Sequence, residues 1–138
     1  MNSLYVLDTN IVSAIVRAKA PARVKFFNVI SEEAAILLCT VVYFEMQRGL
    51  EQRNATSQLR AFNRLITTWQ WDDFIRSDWV KASQVWVHMT KQGYVVDEAD
   101  LMIGVFTSRH EAILVTHNVR HFEQMKPYLQ FEIENWLE

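Results

Sequence analysis

The segment Leu4-Tyr5-Val6-Leu7 is wholly apolar and stops abruptly at Asp8. A run that short, with no polar alternation, suits a strand buried on both faces, the environment inside a parallel sheet. Two more runs have the same form: residues 35–39 end at Thr40, and residues 112–115 end at Thr116. Between them the apolar period becomes helical. Pro21 is placed for the first turn of a helix carrying Val24, Phe27 and Ile30 along one side. Thr40 is placed to cap a helix through Val42, Glu45, Met46 and Gly49. Residues 57–68, 78–92 and 97–109 repeat apolar side chains at helical spacing, with Gly93 as a natural stop after the second. The last of these is apolar on most sides from Leu101 to Phe106, which predicts a central helix. Buried strands alternating with helices predict an α/β fold: a mainly parallel central sheet between helical layers.

With 138 residues, half of them hydrophobic, the chain is expected to form one domain over 1–138 with a sizeable core. Three Gly and two Pro exclude collagen-like or linker-rich architecture. No apolar run approaches the roughly 20 residues of a transmembrane helix. The start, Met1-Asn2-Ser3-Leu4, lacks the basic and long apolar segments of a secretory signal. Cys39, the single cysteine, cannot form an internal disulfide and reads as a small buried hydrophobe. These features predict a cytoplasmic protein. The net charge of −2 argues against a partner held by bulk positive charge, while leaving room for local basic patches.

In an open α/β sheet, sites lie beyond the carboxyl ends of the strands. The polar residues there are Asp8-Thr9-Asn10, Thr40 and Thr116-His117-Asn118. Asp8 suits two roles, as a metal ligand on a rigid element or as the N-cap of the following helix. Asp97 is a cap candidate for the central helix, with Asp100 three residues on, as in a capping box. Yet Asp100 lies on or beside the buried face, where an ionised carboxylate needs a cation or several donors. Glu45, between Phe44 and Met46, is either a member of such a site or a solvated helix residue. Two carboxylates about 5 Å apart repel by roughly 3 kcal/mol at an effective dielectric near 20. Three of them stay ionised together only around a divalent cation, and all-oxygen donors suit Mg²⁺ or Mn²⁺.

The motifs around these acids resemble those of a known family. Val6-Leu7-Asp8-Thr9-Asn10 is similar to the opening motif of PIN-domain proteins, and Glu45 within residues 40–49 to their second acidic motif. Residues 97–104 resemble the third motif, 114–122 the fourth, and Glu134-Asn135-Trp136 the usual ending. Length and motif set most resemble VapC ribonuclease toxins of bacterial VapBC toxin–antitoxin pairs. The resemblance implies a Mg²⁺-dependent endoribonuclease, with Mn²⁺ as an alternative, that hydrolyses RNA through metal-activated water and leaves a 5′-phosphate. Its metal ligands and catalytic residues would be Asp8, Asp100 and Glu45. Asn10, Thr116, Asn118 and Asp97 would support them by hydrogen bonds. It further implies a VapB-like antitoxin, a homodimer within a larger complex, and no membrane partner. Many relatives carry a fourth acid where this chain has Asn118 or His121, so one ion is expected to bind well and a second poorly. The same departure motivates a rival reading, a catalytically degenerate module that binds RNA or antitoxin. A phosphoacceptor receiver-like domain would need a Lys that Thr116-His117-Asn118 does not supply.

Candidate RNA-phosphate contacts are Arg17, Lys19, Arg109, His117 and Arg120. Arg109 and His110 equally suit the carboxyl end of a helix dipole. His117 and His121, four apart, offer a zinc-like pair without a third nitrogen or sulfur ligand nearby. Arg17, Lys19, Arg23 and Lys25 cluster after the first helix, and His88 reads as packed or at a surface edge. Trp79, Trp86 and Met89 recur at helical spacing and are expected in the core or a dimer interface. Trp69 and Trp71 suit a connecting segment or edge strand. The helices from Ala22 to Leu65 are a candidate groove for an amphipathic antitoxin helix.

Overall fold

The computed structural model describes residues 3–138; Met1 and Asn2, where the absence of a secretory signal was read, lie outside the described residues. Strands β1 (Leu4–Leu7), β2 (Ala35–Cys39), β3 (Gln70–Asp72), β4 (Ile113–Val115) and β5 (Glu132–Glu134) form one sheet in the order β3-β2-β1-β4-β5. Every neighbouring pair is parallel, with Tyr5 opposite Ile36 on one side and Ile113 on the other. The helices are α1 (Thr9–Val16), α2 (Ala20–Ser31), α3 (Thr40–Gln52), α4 (Thr56–Leu65), α5 (Arg76–Lys91), α6 (Glu98–Arg109) and α7 (Val119–Glu123). The fold is therefore α/β with a parallel central sheet flanked by helices, as the buried strand runs imply. Among the described residues no helix is long and apolar enough to cross a membrane.

β1 is the middle strand, and the chain leaves it towards β2 on one side while β4 takes the other. That reversal opens a crevice at the carboxyl end of β1, where Asp8 stands. The three inner strands are buried: Val6, Leu114 and Val115 have no exposed surface. The edge strands are short and half polar. Gln70-Trp71-Asp72 realises the edge-strand expectation, whereas Glu132-Ile133-Glu134 is too short and charged to register as an apolar run. It pairs because its edge can face water and because Trp136 anchors the segment, buried against Tyr5 at 5.5 Å between ring centroids.

α6 is the central helix, with every residue from Leu101 to Thr107 buried. Gly104 permits this: a Cβ there would stand 2.9 Å from the Met125 sulfur. α5 and α6 are joined through Gly93, whose φ of 90° falls where L side chains are disfavoured. Pro21 occupies the first turn of α2, as expected.

Three local expectations are corrected. Val24, Phe27 and Ile30 do not face the core; α2 instead buries Ala22 and Phe26, the latter against Trp69. In α5 the buried stripe is Asp78, Ala82, Val85 and Met89, so Met89 lies in the core, while Trp79 and Trp86 turn outward, 56% and 41% exposed, which removes the core alternative for them and leaves that of an interface. In α5 the tryptophans sit on the wet face, and in α2 Phe27 faces water while its neighbour Phe26 is buried, so residue size does not identify the inward stripe. Thr40 is the first helical residue of α3 and not its cap; Cys39 takes that position without a side-chain bond.

Candidate active site

Asp8 is 3% exposed. Its backbone N–H extends the β1–β4 ladder by donating to the Val115 carbonyl at 2.8 Å, and its own carbonyl accepts from Ile11 and Val12. The residue is thus the last rung of the strand and the N-cap of α1 at once, so the cap and site readings describe one geometry. Its Oδ1 accepts from the Thr9 N–H at 2.8 Å; Oδ2 accepts from the Thr116 hydroxyl at 2.7 Å and the Asn10 amide at 3.3 Å. Asn118 donates its N–H to Thr116 Oγ1 at 3.0 Å, and Asn10 Oδ1 accepts from the His117 N–H at 3.1 Å. Residues from both sides of the crevice therefore fix one carboxylate.

Glu45 comes from α3 and is tied to the start of α1, where the Thr9 hydroxyl donates to its Oε1 at 2.6 Å. Asp100 comes from the first turn of α6, where its N–H donates to the capping carboxylate of Asp97 at 2.9 Å. Across from it, His121 Nδ1 on α7 lies 3.3 Å from Asp100 Oδ2. The Thr9 link went unseen in sequence because a hydroxyl between two conspicuous polar neighbours carries no signal of its own.

Burial raises the Asp8 carboxyl above the usual carboxylate range; the Thr116 and Thr9 hydrogen bonds oppose the rise, and the Glu45 charge adds to it. Burial, then the charges of Asp8 and Asp97, pushes Asp100 up to about 6, against the pull of His121. Burial, with the charges of Asp8 and Glu45 adding to it, pushes the Cys39 thiol to about 12, so it stays protonated and is no nucleophile. Glu45 acts on Asp8 and Asp8 on Asp100, which puts three acids, from the N-cap of α1, from α3 and from α6, in one electrostatic neighbourhood. Among the described residues neither Asp8 nor Glu45 has a basic side chain within 4.0 Å. Among them, too, no three His, Cys, Asp or Glu side chains stand close enough together to hold a metal ion. The donors are hard oxygens, and those of Asp8 and Glu45 lack a counter-charge, a chemistry that suits a divalent cation of the Mg²⁺ or Mn²⁺ type.

The raised carboxyls set a pH dependence. The metal-free folded protein holds these protons more tightly than the unfolded chain, whose Asp titrates near 3.9. The associated stability is full below that value and declines as pH rises through about 6. Melting of the metal-free protein at about pH 5 and about pH 7.5 is expected to show this loss, and Asp100→Asn to reduce it. A pH profile that the substitution leaves untouched contradicts the placement of Asp100.

Other sequence candidates scatter. Arg17 and Lys19 are exposed at the junction of α1 and α2, and Arg120 is exposed on α7 beside His121. Arg109 is engaged elsewhere: its Nε donates to buried Asp78 Oδ1 at 2.8 Å, and its terminal nitrogens approach Asp72 and the Asp73 carbonyl. It stands nine residues along α6 from Asp100, about 13 Å, and its guanidinium is a structural clamp. The His117–His121 pair is not formed, because His117 precedes α7 and faces Asn135 while His121 faces Asp100. His88 stacks on Tyr128 at the surface.

Known proteins share this fold. The chain is 20% identical over 134 residues to ribonuclease VapC2 of Rickettsia felis, covering 96% of this chain and 98% of that one. It is 23% identical over 135 residues to ribonuclease VapC2 of Haemophilus influenzae, with the same coverage. DNA-bound VapBC from Salmonella typhimurium superposes with a TM-score of 0.82 at 22% identity, over 99% of both chains. VapBC2 from Rickettsia felis, bound to a promoter DNA fragment, gives 0.81 at 19% identity, over 96% of this chain and 98% of that one. The PIN domain profile matches residues 5–126, and the chain belongs to that family.

Proposed function

We propose that residues 1–138 form a single PIN domain that hydrolyses RNA phosphodiesters with Mg²⁺ or Mn²⁺, as the cytoplasmic toxin of a VapBC-type toxin–antitoxin pair. The supporting observation is that, beyond the central strand, the Glu45 charge raises the Asp8 carboxyl and the Asp8 charge raises that of Asp100, while Asp8 and Glu45 lack a basic counter-charge among the described residues. The names of the relatives point the same way.

Asp8 and Asp100 would hold the ion, and Glu45 would complete the set directly or through water. When bound, the ion supplies charge neutralisation at the phosphodiester and a water acidified towards neutrality. Water then adds to phosphorus as the P–O3′ bond breaks, leaving a 5′-phosphate and a 3′-hydroxyl. Thr116, Asn10 and the Thr9 N–H keep the Asp8 carboxylate in one orientation. The Thr9 hydroxyl does the same for Glu45, and Asp97 holds the first turn of α6 under Asp100. Asn118 offers an amide without charge. Arg17, Lys19, His117 and Arg120 contact the RNA backbone; Arg109 does not.

A groove of about 290 Å³ beside α1, α2 and α4, lined by Ile15, Phe26, Phe27 and Leu65 between Arg23 and Arg64, suits an amphipathic antitoxin helix. The exposed face of α5, with Trp79, Val80, Trp86 and Val87, suits a second copy of the chain. Sedimentation should then give twice 16.3 kDa, and Trp86→Glu should return the monomer.

The activity test is incubation of the purified chain with a panel of structured RNAs. Fragments bearing 5′-phosphates are expected with Mg²⁺ or Mn²⁺, none after EDTA, and recovery when Mg²⁺ is restored. RNA that is bound but uncut under every condition would favour the degenerate binding module, for which Asn118 and His121 in place of an acid are the motive.

A further inference from the structure

Phe44 and Arg48 form a pair on the outer face of α3. Phe44 is 58% exposed, and the Arg48 guanidinium carbon stands 4.8 Å from its ring centroid, within cation–π range. Glu45 and Glu51 lie three residues to either side of Arg48, the spacing at which helical ion pairs form. Yet among the described residues no carboxylate comes within 4.0 Å of Arg48, and Glu45 instead accepts from Thr9. The guanidinium therefore lies on an exposed ring with its charge unneutralised. α3 starts directly after β2, at the carboxyl edge of the sheet, and helical side chains lean towards the helix start. Phe44 thus leans towards the rim of the crevice, and its Cα is about 3.8 Å from that of Glu45. Other exposed rings lack this setting. Trp71 donates its indole N–H to Asp73 at 3.1 Å, beside Asp72, so acids border it. Trp79 and Trp86 line α5, and Phe27 lies in the groove beside α2.

We propose that Phe44, backed by Arg48, is a stacking platform for an unpaired RNA base beside the scissile phosphate, with Arg48 neutralising that nucleotide's backbone charge. The inference rests on the RNA-hydrolysing reading above and names its substrate class as single-stranded RNA, in a loop or at an end. Bases in a duplex are stacked on one another, whereas splayed bases stack on aromatic rings and guanidinium planes. Every base has a π face, so the platform grips a strand without fixing its sequence. The positive charge also offsets the repulsion that the acids impose on an approaching phosphate.

The experiment measures, with Ca²⁺ present, the Kd of the full chain for fluorescein-labelled oligoadenylate and for an abasic strand of the same length. Phe44→Ala is expected to weaken oligoadenylate binding about tenfold and to leave the abasic strand unchanged. Phe44→Trp should bind oligoadenylate at least as well as the unsubstituted chain, and Phe44→Leu, apolar without a π face, should fall with Phe44→Ala. Arg48→Gln should weaken both strands and reduce the salt slope by about 0.7. In cleavage, Phe44→Ala should raise KM and spare kcat, the mark of a contact made equally in substrate and transition state. Thermal melting confirms that the variants fold. Equal loss for both strands, no loss for either, or full binding by Phe44→Leu overturns the platform. Base-dependent binding that Phe44→Ala removes, in a chain that cuts no RNA, upholds the platform and overturns the nuclease reading. RNA cut by Phe44→Ala with an unchanged KM upholds the nuclease reading and overturns the platform.

Discussion

Asp8→Asn is expected to lower RNA cleavage by about a thousandfold while the protein still folds. The amide is nearly isosteric with the carboxylate, so the core around Val6, Leu114 and Val115 keeps its shape. One of the three donors that Asp8 satisfies, from Thr9, Asn10 and Thr116, would lose its acceptor, at a cost of about 1–3 kcal/mol. Removing a buried negative charge from beside Glu45 and Asp100 offsets part of that cost, since burial and those charges disfavour the ionised form. Function has no such compensation. Loss of a charged ligand withdraws several kcal/mol of transition-state stabilisation, and about 4 kcal/mol corresponds to a thousandfold in rate. Asp100→Asn should fall to a similar level. The double variant should be little worse than either single one, because residues that act as a unit are not additive. Single-turnover cleavage, with thermal melting as the folding control, measures both effects. Rates within about threefold of the unsubstituted protein would remove Asp8 from the chemistry.

Arg109→Ala should damage stability and spare the reaction. Asp78 is buried, its Oδ2 caps α5 by accepting the Ile75 N–H at 3.0 Å, and its Oδ1 holds Arg109. Removing the guanidinium leaves an uncompensated buried carboxylate, a loss of about 3 kcal/mol. For a chain of this size that lowers the melting temperature by on the order of 10 °C. Cleavage per folded molecule, and its salt dependence, should be unchanged. An Arg that bound RNA phosphate would show the opposite pattern, with intact stability and a salt slope reduced by about one.

The parts of the fold legible in sequence are those where local chemistry and tertiary environment agree. Leu4–Leu7 has no polar residue because β1 has neighbours on both edges and helices on its faces. Asp97 and Asp100 mark the start of α6 because the cap is a local interaction, and residues 101–106 read as central because no polar side chain interrupts that stretch; Thr107, buried just beyond it, bonds the Ile103 carbonyl. The rest depends on partners remote in sequence. Glu132–Glu134 becomes a strand through its register with β4 and the Trp136 anchor. The inward stripe of α2 runs through Ala22 and Phe26, which size and hydrophobicity alone do not distinguish from Val24, Phe27 and Ile30. Arg109 resembled a phosphate contact because Asp78, 31 residues away, is visible only once α5 and α6 pack together. The acids were individually conspicuous, yet the Thr9 hydroxyl that ties Glu45 to α1 and the His121 ring facing Asp100 emerged only from the folded chain.

The account stands on Asp8, Glu45 and Asp100 serving one ion. Anomalous diffraction from crystals of the full chain soaked in Mn²⁺ tests this most directly. One strong peak is expected within about 2.5 Å of carboxylate oxygens from both Asp8 and Asp100. Mn²⁺ found only elsewhere, with those two carboxylates bare, would contradict it.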